Sequence, residues 1–195
     1  MAEVLLIHHI LGRTDGVEAF AAELRSAGHV VHVPDLFDGH VFDSIEDGFA
    51  HARQVGDETV RRRVEAAAAA LPAGVVHAGW SWGVMEAQRL AQTRGGARGA
   101  LLYEACLPIT GEWAIGPWPD DVPVQVHGKD DDEFFAHEGD LDAARELVSA
   151  VGPDLAELFT YPGDQHLFFD RSLPSFDPDA AELLTRRTLE FLADR

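Results

Sequence analysis

The chain has few of the residues that secreted domains and polyanion-binding proteins depend on. Its one cysteine, Cys106, excludes an intramolecular disulfide and a cysteine-based metal cluster. Lys and Arg total 15 against 34 Asp and Glu, and the formal net charge of −19 disfavours nucleic acid and anionic membranes as partners. No apolar run approaches transmembrane length, and the first residues lack a signal-peptide pattern. We therefore expect a cytoplasmic protein.

The chain also lacks the loops that hold nucleotide phosphates. Neither Gly-x-Gly-x-x-Gly nor Gly-x-x-x-x-Gly-Lys-Ser/Thr follows any candidate strand. His8 and His9 are adjacent at the end of the first candidate strand, where neighbouring side chains point to opposite faces, and no third metal ligand has suitable spacing. We expect neither a cofactor nor a metal site.

The chain does contain an alternation of strand-like and helix-like segments. Short apolar runs indicate buried parallel strands, and the amphipathic stretches between them indicate helices. The alternation predicts one α/β domain, residues 1–195, with a doubly wound, mostly parallel sheet, helices on both faces and no separate cap domain. The predicted strands are 4–7, 29–33, 75–76, 100–103, 122–126 and 157–161. The predicted helices are 15–27, one that contains alanines 66–70 and stops at 71–72, 84–91, 141–151 and 179–193, and residues 34–55 are predicted to be irregular.

Residues 74–83 read G-V-V-H-A-G-W-S-W-G, an apolar run followed by Gly-x-Ser-x-Gly. This pattern is typical of a nucleophile elbow, a sharp turn between a strand and a helix that exposes the serine. Gly79 and Gly83 lie where a missing Cβ relieves crowding in such a turn. Valines before the turn and good helix formers after it supply the required flanks. The pattern predicts that Ser81 is a catalytic nucleophile.

A serine hydroxyl needs a base that accepts its proton and an acid that orients the base. His166 follows the last predicted strand, and aspartates 130–132 follow the strand before it. Both positions fall at the carboxyl edge of the predicted sheet, and the order Ser, acid, His is the one found in α/β-hydrolases. We expect His166 to be the base and one of the three aspartates to turn inward while the others stay solvated.

An oxyanion hole requires two backbone N–H donors aimed at the developing negative charge. We expect one from Trp82, which follows the nucleophile, and one from Ile10 in the loop after the first strand. Glu104 is compatible with a second carboxylate near the site, but we expect a solvated loop residue. Cys106 is compatible with a place near the pocket, but we expect a small buried residue. Six aromatic residues are equally compatible with a substrate pocket and with core packing: Trp80, Trp82, Trp113, Trp118, Phe134 and Phe135.

The sequence resembles the dienelactone hydrolase family of the α/β-hydrolases over nearly the whole chain. Residues 9–12, His-Ile-Leu-Gly, resemble the family's Glu-Ile-Phe-Gly loop, and residues 34–37, Pro-Asp-Leu-Phe, resemble its Pro-Asp-Leu-Tyr/Phe strand end. Residues 161–168 resemble its Tyr-x-x-x-Gly-His-x-Phe segment. This last match implies that His166 is the base.

Residues 127–134 bear on the choice of the acid. They resemble a family segment in which an aspartate lies five residues after a histidine and two before a phenylalanine, which implies Asp132. A more general hydrolase pattern, three residues after a glycine, selects Asp131 instead. We take Asp132 as the acid.

The resemblance implies cofactor-free hydrolysis of an ester or lactone, with that small molecule as the partner. The chain departs from the family's best-known members at four positions: Ser81 replaces the elbow cysteine, His9 a glutamate in the first loop, Gln165 a glycine before the base, and Asp170 an arginine that helps hold a substrate carboxylate. These departures favour an ordinary serine-esterase mechanism and a substrate other than dienelactone.

Two alternatives stay open. The runner-up from another class is a non-catalytic flavodoxin-like module in which the serine loop holds a small ligand. A third keeps the hydrolase fold and cleaves peptides or thioesters. The sequence does not determine the acyl group, the alcohol or the oligomeric state, and it is compatible with a homo-oligomer.

Overall fold

The computed structural model describes residues 1–195. Its centre is a six-stranded sheet in the order β2-β1-β3-β4-β5-β6, in which every neighbouring pair is parallel. The predicted doubly wound parallel sheet is therefore confirmed. The strands are β1 (Glu3–Ile7), β2 (Val30–His32), β3 (Val76–Trp80), β4 (Gly99–Tyr103), β5 (Val124–Lys129) and β6 (Ala156–Tyr161).

Seven helices cover the two faces of this sheet. They are α1 (Asp15–Ser26), α2 (Ile45–Val55), α3 (Asp57–Ala69), α4 (Val84–Thr93), α5 (Glu133–His137), α6 (Asp140–Val151) and α7 (Pro178–Ala193). Helices α1 and α7 pack on one face, and α2 to α6 pack on the other. No cap domain interrupts the alternation, and no helix is both long and apolar enough to cross a membrane.

Strand β1 explains why the central strands read as continuous apolar runs. Val4 and Leu6 join the cluster under α1 and α7, whereas Leu5 and Ile7 join the cluster under α2, α3 and α4. All four side chains are fully buried. A strand covered on both faces needs apolar residues at every position, and this is what the sequence supplies.

The prediction that residues 34–55 are irregular is wrong in its second half, which forms α2. Ser44 caps this helix by accepting the Asp47 amide at 3.1 Å. Gly48, which weakens a helix in isolation, is required by packing, because a Cβ there would lie 2.4 Å from the Ile10 carbonyl oxygen. Because this segment is rich in Asp and Gly, its composition did not indicate the helix, which packs against the loop after β1.

The sheet order creates a crevice at the carboxyl ends of β1 and β3. These strands are neighbours, but the chain leaves β1 toward β2 on one side and β3 toward β4 on the other. The connecting loops therefore diverge, and ligands bind at such switch points in open α/β sheets. The loop at residues 8–12 follows β1, and Ser81 follows β3, so both candidate features lie at this crevice.

Candidate active site

The turn after β3 has the geometry of a nucleophile elbow. Ser81 has a φ of 47°, a left-handed conformation that is uncommon for a residue with a side chain, and it begins the 3₁₀ turn that leads into α4. A Cβ at Gly79 would lie 2.5 Å from the Gly83 carbonyl oxygen, and one at Gly83 would lie 2.5 Å from that of His8. The strained serine thus depends on both flanking glycines.

Ser81, His166 and Asp132 form one hydrogen-bonded chain. The Ser81 hydroxyl lies 2.7 Å from His166 Nε2, and His166 Nδ1 lies 2.6 Å from Asp132 Oδ2. Asp132 is fully buried, and its Oδ1 accepts the Phe134 amide at the start of α5. With Nδ1–H donating to Asp132, Nε2 is the nitrogen that can accept the serine proton.

The structure distinguishes the three neighbouring aspartates. Asp130 accepts the Gly163 amide at the surface, and the Asp131 side chain is 72% exposed and pairs with His137. Only Asp132 faces His166. Asp132 differs from the other two aspartates because it caps the N-terminus of α5, and this turns its carboxylate inward.

His166 lies among several carboxylates. Burial disfavours its charged form, yet its pKa is raised above the ordinary 6.5 because Glu104, Asp132 and Asp140 favour the imidazolium. A proton taken from Ser81 is therefore well held on this ring.

The expectation that Glu104 is a solvated loop residue is wrong. Its side chain follows β4, is 1% exposed, and accepts the Phe168 amide through Oε1 at 3.2 Å. Burial raises the pKa of Glu104 to about 7, with nearby Asp132 adding to the rise and His166 opposing it. Sequence reasoning raised Glu104 as a second carboxylate near the site but favoured the solvated loop, because an acidic residue after a strand is usually solvated and nothing local indicates which strand end is covered.

The two expected oxyanion donors lie in adjacent loops. The Ile10 amide donates no hydrogen bond within the chain, whereas the next two amides, of Leu11 and Gly12, are held by the ring and carbonyl of His9. Trp82 follows the nucleophile in the 3₁₀ turn. A free Ile10 N–H beside the elbow is what an oxyanion donor needs, and its assignment with Trp82 stays a prediction.

A second buried pair supports the loop that contains Ile10. His9 Nε2 lies 2.8 Å from Asp170 Oδ2, which also accepts the Thr14 hydroxyl, and both residues are fully buried. His9 Nδ1 accepts the Leu11 amide at 3.2 Å, and the His9 ring stacks on Trp80 at 5.3 Å. Burial lowers the pKa of His9, so its neutral ring joins Asp170 to the loop backbone.

His8 is also fully engaged. Its Nδ1 donates to the His9 carbonyl at 2.7 Å, and its Nε2 accepts the Leu36 amide at 3.1 Å.

Glu104, Asp132 and His166 bring one potential ligand atom each within 4.8 Å of one another. A cation there would have to displace the hydrogen bonds of His166 to Ser81 or Asp132, so the arrangement suits proton transfer better than metal binding.

A cleft of about 240 Å³ opens beside Ser81. Of the six aromatic candidates, Trp82 and Phe134 line it, while Trp80, Trp118 and Phe135 are buried in the core and Trp113 is 81% exposed. Cys106 is buried behind the cleft as a small core residue. The cleft is lined by Ser81, Phe49, Trp82, Val84, Met85, Ala105, Leu107 and Phe134, with the carboxylates of Glu104, Glu138 and Asp140.

A larger cleft of about 650 Å³ lies between α1 and α7. Its walls include Phe20, Phe176 and Leu189, and none of the predicted site residues. Size alone therefore does not identify the candidate site, because the smaller cleft is the one lined by Ser81 and Trp82.

The model of the dienelactone hydrolase family matches residues 1–195 of this chain. No curated protein is significantly similar to it in sequence. A solved structure from Klebsiella pneumoniae subsp. pneumoniae, assigned to the dienelactone hydrolases, is 19% identical, with a TM-score of 0.76 over 100% of this chain and 88% of that one.

Two further structures are similar in fold. A dienelactone hydrolase-like promiscuous phosphotriesterase from metagenomic libraries is 18% identical, with a TM-score of 0.76 over 100% of this chain and 86% of that one. A protein of Xanthomonas campestris pv. campestris, assigned to the α/β-hydrolase superfamily, is 18% identical, with a TM-score of 0.66 over 100% of both chains. These likenesses confirm the predicted α/β-hydrolase fold.

Proposed function

The chain belongs to the dienelactone hydrolase family, and on that premise we propose that it is a serine hydrolase that cleaves carboxylic ester or lactone bonds through an acyl-enzyme, without a cofactor. One observation carries the proposal. The Ser81 hydroxyl lies 2.7 Å from His166 Nε2, while the other ring nitrogen lies 2.6 Å from buried Asp132. These distances support the roles of Ser81 as nucleophile, His166 as base and Asp132 as acid.

In the acylation step Ser81 Oγ attacks the substrate carbonyl carbon, and its proton passes to His166 Nε2. Asp132 stabilises the resulting imidazolium, and the Ile10 and Trp82 amides stabilise the oxyanion. When the tetrahedral intermediate collapses, the carbon–oxygen bond to the alcohol breaks and His166 returns its proton to the leaving oxygen. In a lactone that alcohol stays attached to the acyl group.

Deacylation reverses these roles with water as the nucleophile. His166 takes a proton from water as its oxygen attacks the acyl carbon, and the proton returns to Ser81 as the ester bond to the enzyme breaks. The products are a carboxylic acid and the free serine. No oxidant, metal or second substrate is required.

The cleft constrains the substrate. Its walls are mainly apolar, its acidic members are Glu104, Glu138 and Asp140, and it contains no Lys or Arg. A negatively charged acyl group would meet uncompensated carboxylates. Asp170, at the position where family members hold a substrate carboxylate with arginine, points instead to His9. We propose that substrates are small, apolar and uncharged near the scissile bond.

A fluorophosphonate probe tests the nucleophile. We expect one adduct on Ser81, found by intact and peptide mass spectrometry, that is absent from Ser81→Ala and nearly absent from His166→Ala. Hydrolysis of a short activated ester should fall by several orders of magnitude in both variants. The absence of labelling and of ester hydrolysis in folded wild-type protein, with tight binding of a flavin or nucleotide, would favour the flavodoxin-like alternative.

A panel of substrates then distinguishes the hydrolysis of esters and lactones from the cleavage of peptides and thioesters. Esters and lactones of matched acyl size should be cleaved faster than the corresponding peptide and thioester. A phosphotriester belongs in the panel, because the related metagenomic protein is described as a promiscuous phosphotriesterase. A marked preference for thioesters or peptides would replace the proposed substrate class while keeping the nucleophile. Cytoplasmic location stays a prediction.

A further inference from the structure

Glu104 occupies a position that the proposed mechanism does not use. It directly follows β4, which lies between β3 and β5, so it stands between the strand that leads to Ser81 and the strand that leads to Asp132. Its amide donates to the His127 carbonyl at 2.6 Å, and its φ of 59° is left-handed. Such a conformation in a residue with a side chain is strained and often marks a functional position.

The Glu104 carboxylate is buried and only half satisfied. Oε1 accepts the Phe168 amide, whereas Oε2 has no hydrogen-bond partner in the chain. A carboxylate oxygen of Glu104, one of Asp132 and a ring nitrogen of His166 all lie within 4.8 Å of one another. Burying an unpaired carboxylate is costly unless a cation compensates it, and His166 is the group here that can become a cation.

From this geometry we infer that Glu104 is a positioning residue that acts through His166: with Asp132, it stabilises the imidazolium that forms when His166 accepts the Ser81 proton. The inference rests on the proposed hydrolase function for its catalytic meaning. The His166 ring would then interact with two carboxylates, one after β4 and one after the neighbouring strand β5. Asp132 orients the ring by a direct hydrogen bond, and Glu104, which ionises near neutral pH, adds a second negative charge in a buried setting.

The groups that face His166 come from several elements. They are Ser81 after β3, Glu104 after β4, Asp132 before α5, Asp140 at the start of α6, and His9 after β1. Burial of the ring has the largest effect on the pKa of His166 and lowers it; the charge of Glu104 raises it, as do the hydrogen bond and the charge of Asp132 and the charge of Asp140. His166 and Asp132 are the charged groups that face Glu104.

A purely structural role is the alternative. Because Oε1 accepts the Phe168 amide, Glu104 could serve only to anchor the loop that follows His166. Glu104→Gln separates the two roles, since glutamine keeps an acceptor oxygen for that amide but has no charge. Glu104→Asp keeps the charge on a shorter side chain.

The test is an NMR titration of the His166 imidazole, combined with the pH dependence of kcat/KM for an activated ester. In Glu104→Gln the pKa of His166 should fall by about one unit, and the plateau of kcat/KM should fall about tenfold because a weaker base accepts the serine proton. Glu104→Asp should lie between Glu104→Gln and wild type. The control is Asp131→Asn, which removes a charge from the exposed end of the neighbouring loop and should leave both readouts unchanged.

An unchanged His166 pKa in folded Glu104→Gln would overturn the inference, and reduced activity with that unchanged pKa would assign Glu104 the anchoring role alone. If Glu104→Gln does not fold, Glu104→Asp decides: its shorter side chain moves the charge away from His166, so the pKa of His166 should fall below the wild-type value, and an unchanged pKa would refute the inference. The NMR readout does not need turnover. A fall in the pKa of His166 from wild type to Glu104→Gln, in protein that hydrolyses no ester, would support the coupling while counting against the proposed function.

Discussion

At the scale of single residues, the pairing of His9 with Asp170 sets this chain apart from the family members it resembles. Two positions that hold a glutamate and an arginine in those members are here a histidine and an aspartate, 161 residues apart and 2.8 Å from each other. Both are turned away from the cleft and toward the loop that contains Ile10. The pair therefore supports the backbone of this loop, and neither side chain lines the cleft beside Ser81.

His9→Phe tests this support. Phenylalanine keeps a ring against Trp80 but loses the bonds to Asp170 and to the Leu11 amide. We expect kcat to fall about 10- to 100-fold with little change in KM, because a loop displaced by a fraction of an ångström no longer aims the Ile10 amide at the oxyanion. Steady-state kinetics measure this. His32→Phe, which breaks a half-exposed pair with Glu3 far from the crevice, is the control. Equal kcat in wild type and His9→Phe would contradict the idea.

At the scale of elements, the strand–turn–helix unit at β3 and α4 was predictable because its signal is local. Glycine spacing, β-branched residues before the turn and helix formers after it lie within a short stretch and agree with one another. The same local reasoning failed for α2, whose Gly48 is explained only by the Ile10 carbonyl packed against it. It also missed α5, a short helix that begins at the Asp132 cap.

Gly83→Ala tests the elbow as an element. The added Cβ would lie 2.5 Å from the His8 carbonyl oxygen and 2.6 Å from that of Ile7, both of them backbone atoms that cannot rotate away. We expect a loss of about 2 kcal/mol or more in the free energy of unfolding, measured by urea denaturation, and slower fluorophosphonate labelling of Ser81. Gly95→Ala adds a Cβ with no atom within 4 Å and serves as the control. A neutral Gly83→Ala would mean that the elbow is not tightly packed.

At the scale of the whole molecule, buried histidines determine how the fold responds to acid. Burial lowers the pKa of His8 and of His77 to about 4, and that of His127 to about 3. Nearby charges change these values less than burial does; for His77 they come from Arg94 and Arg89, whose cations lower its pKa further. These side chains are neutral in the folded protein over a pH range in which the unfolded chain is protonated.

The sign of the effect follows from proton binding. Between pH 6.5 and about 4 the unfolded chain binds more protons at these histidines than the folded chain does. Their contribution to the free energy of unfolding is therefore complete above pH 6.5 and is lost as the pH falls. By pH 5 each group accounts for about 2 kcal/mol, and three together are comparable with the lower end of the stability of an ordinary domain. Glu104 and Asp140, whose pKa values burial raises to about 7 and about 6, act in the opposite direction, so we expect the urea midpoint to fall from pH 7.5 to pH 5 by less than the histidines alone would produce.

His77→Leu measures how much of the stability lost at acidic pH is due to His77. Neither ring nitrogen of His77 has a hydrogen-bond partner, so leucine removes the titration without breaking a bond. The variant should match or exceed wild type at pH 7.5 and lose less stability by pH 5. Equal urea midpoints at the two pH values in wild type would show that the buried rings do not control acid stability.

The sequence by itself determined the features whose causes lie close together along the chain: the parallel strands, the elbow around Ser81, and the placement of His166 after the last strand. Their signals are local spacings and apolar runs. Resemblance had already selected Asp132 as the acid, but the tertiary structure alone decided that Glu104 also faces His166 and what His9 contacts. Asp132 turns inward because it caps α5, Glu104 is buried because β4 lies between β3 and β5, and Asp170 meets His9 across 161 residues. Such contacts depend on the order of strands in the sheet, which no local pattern encodes.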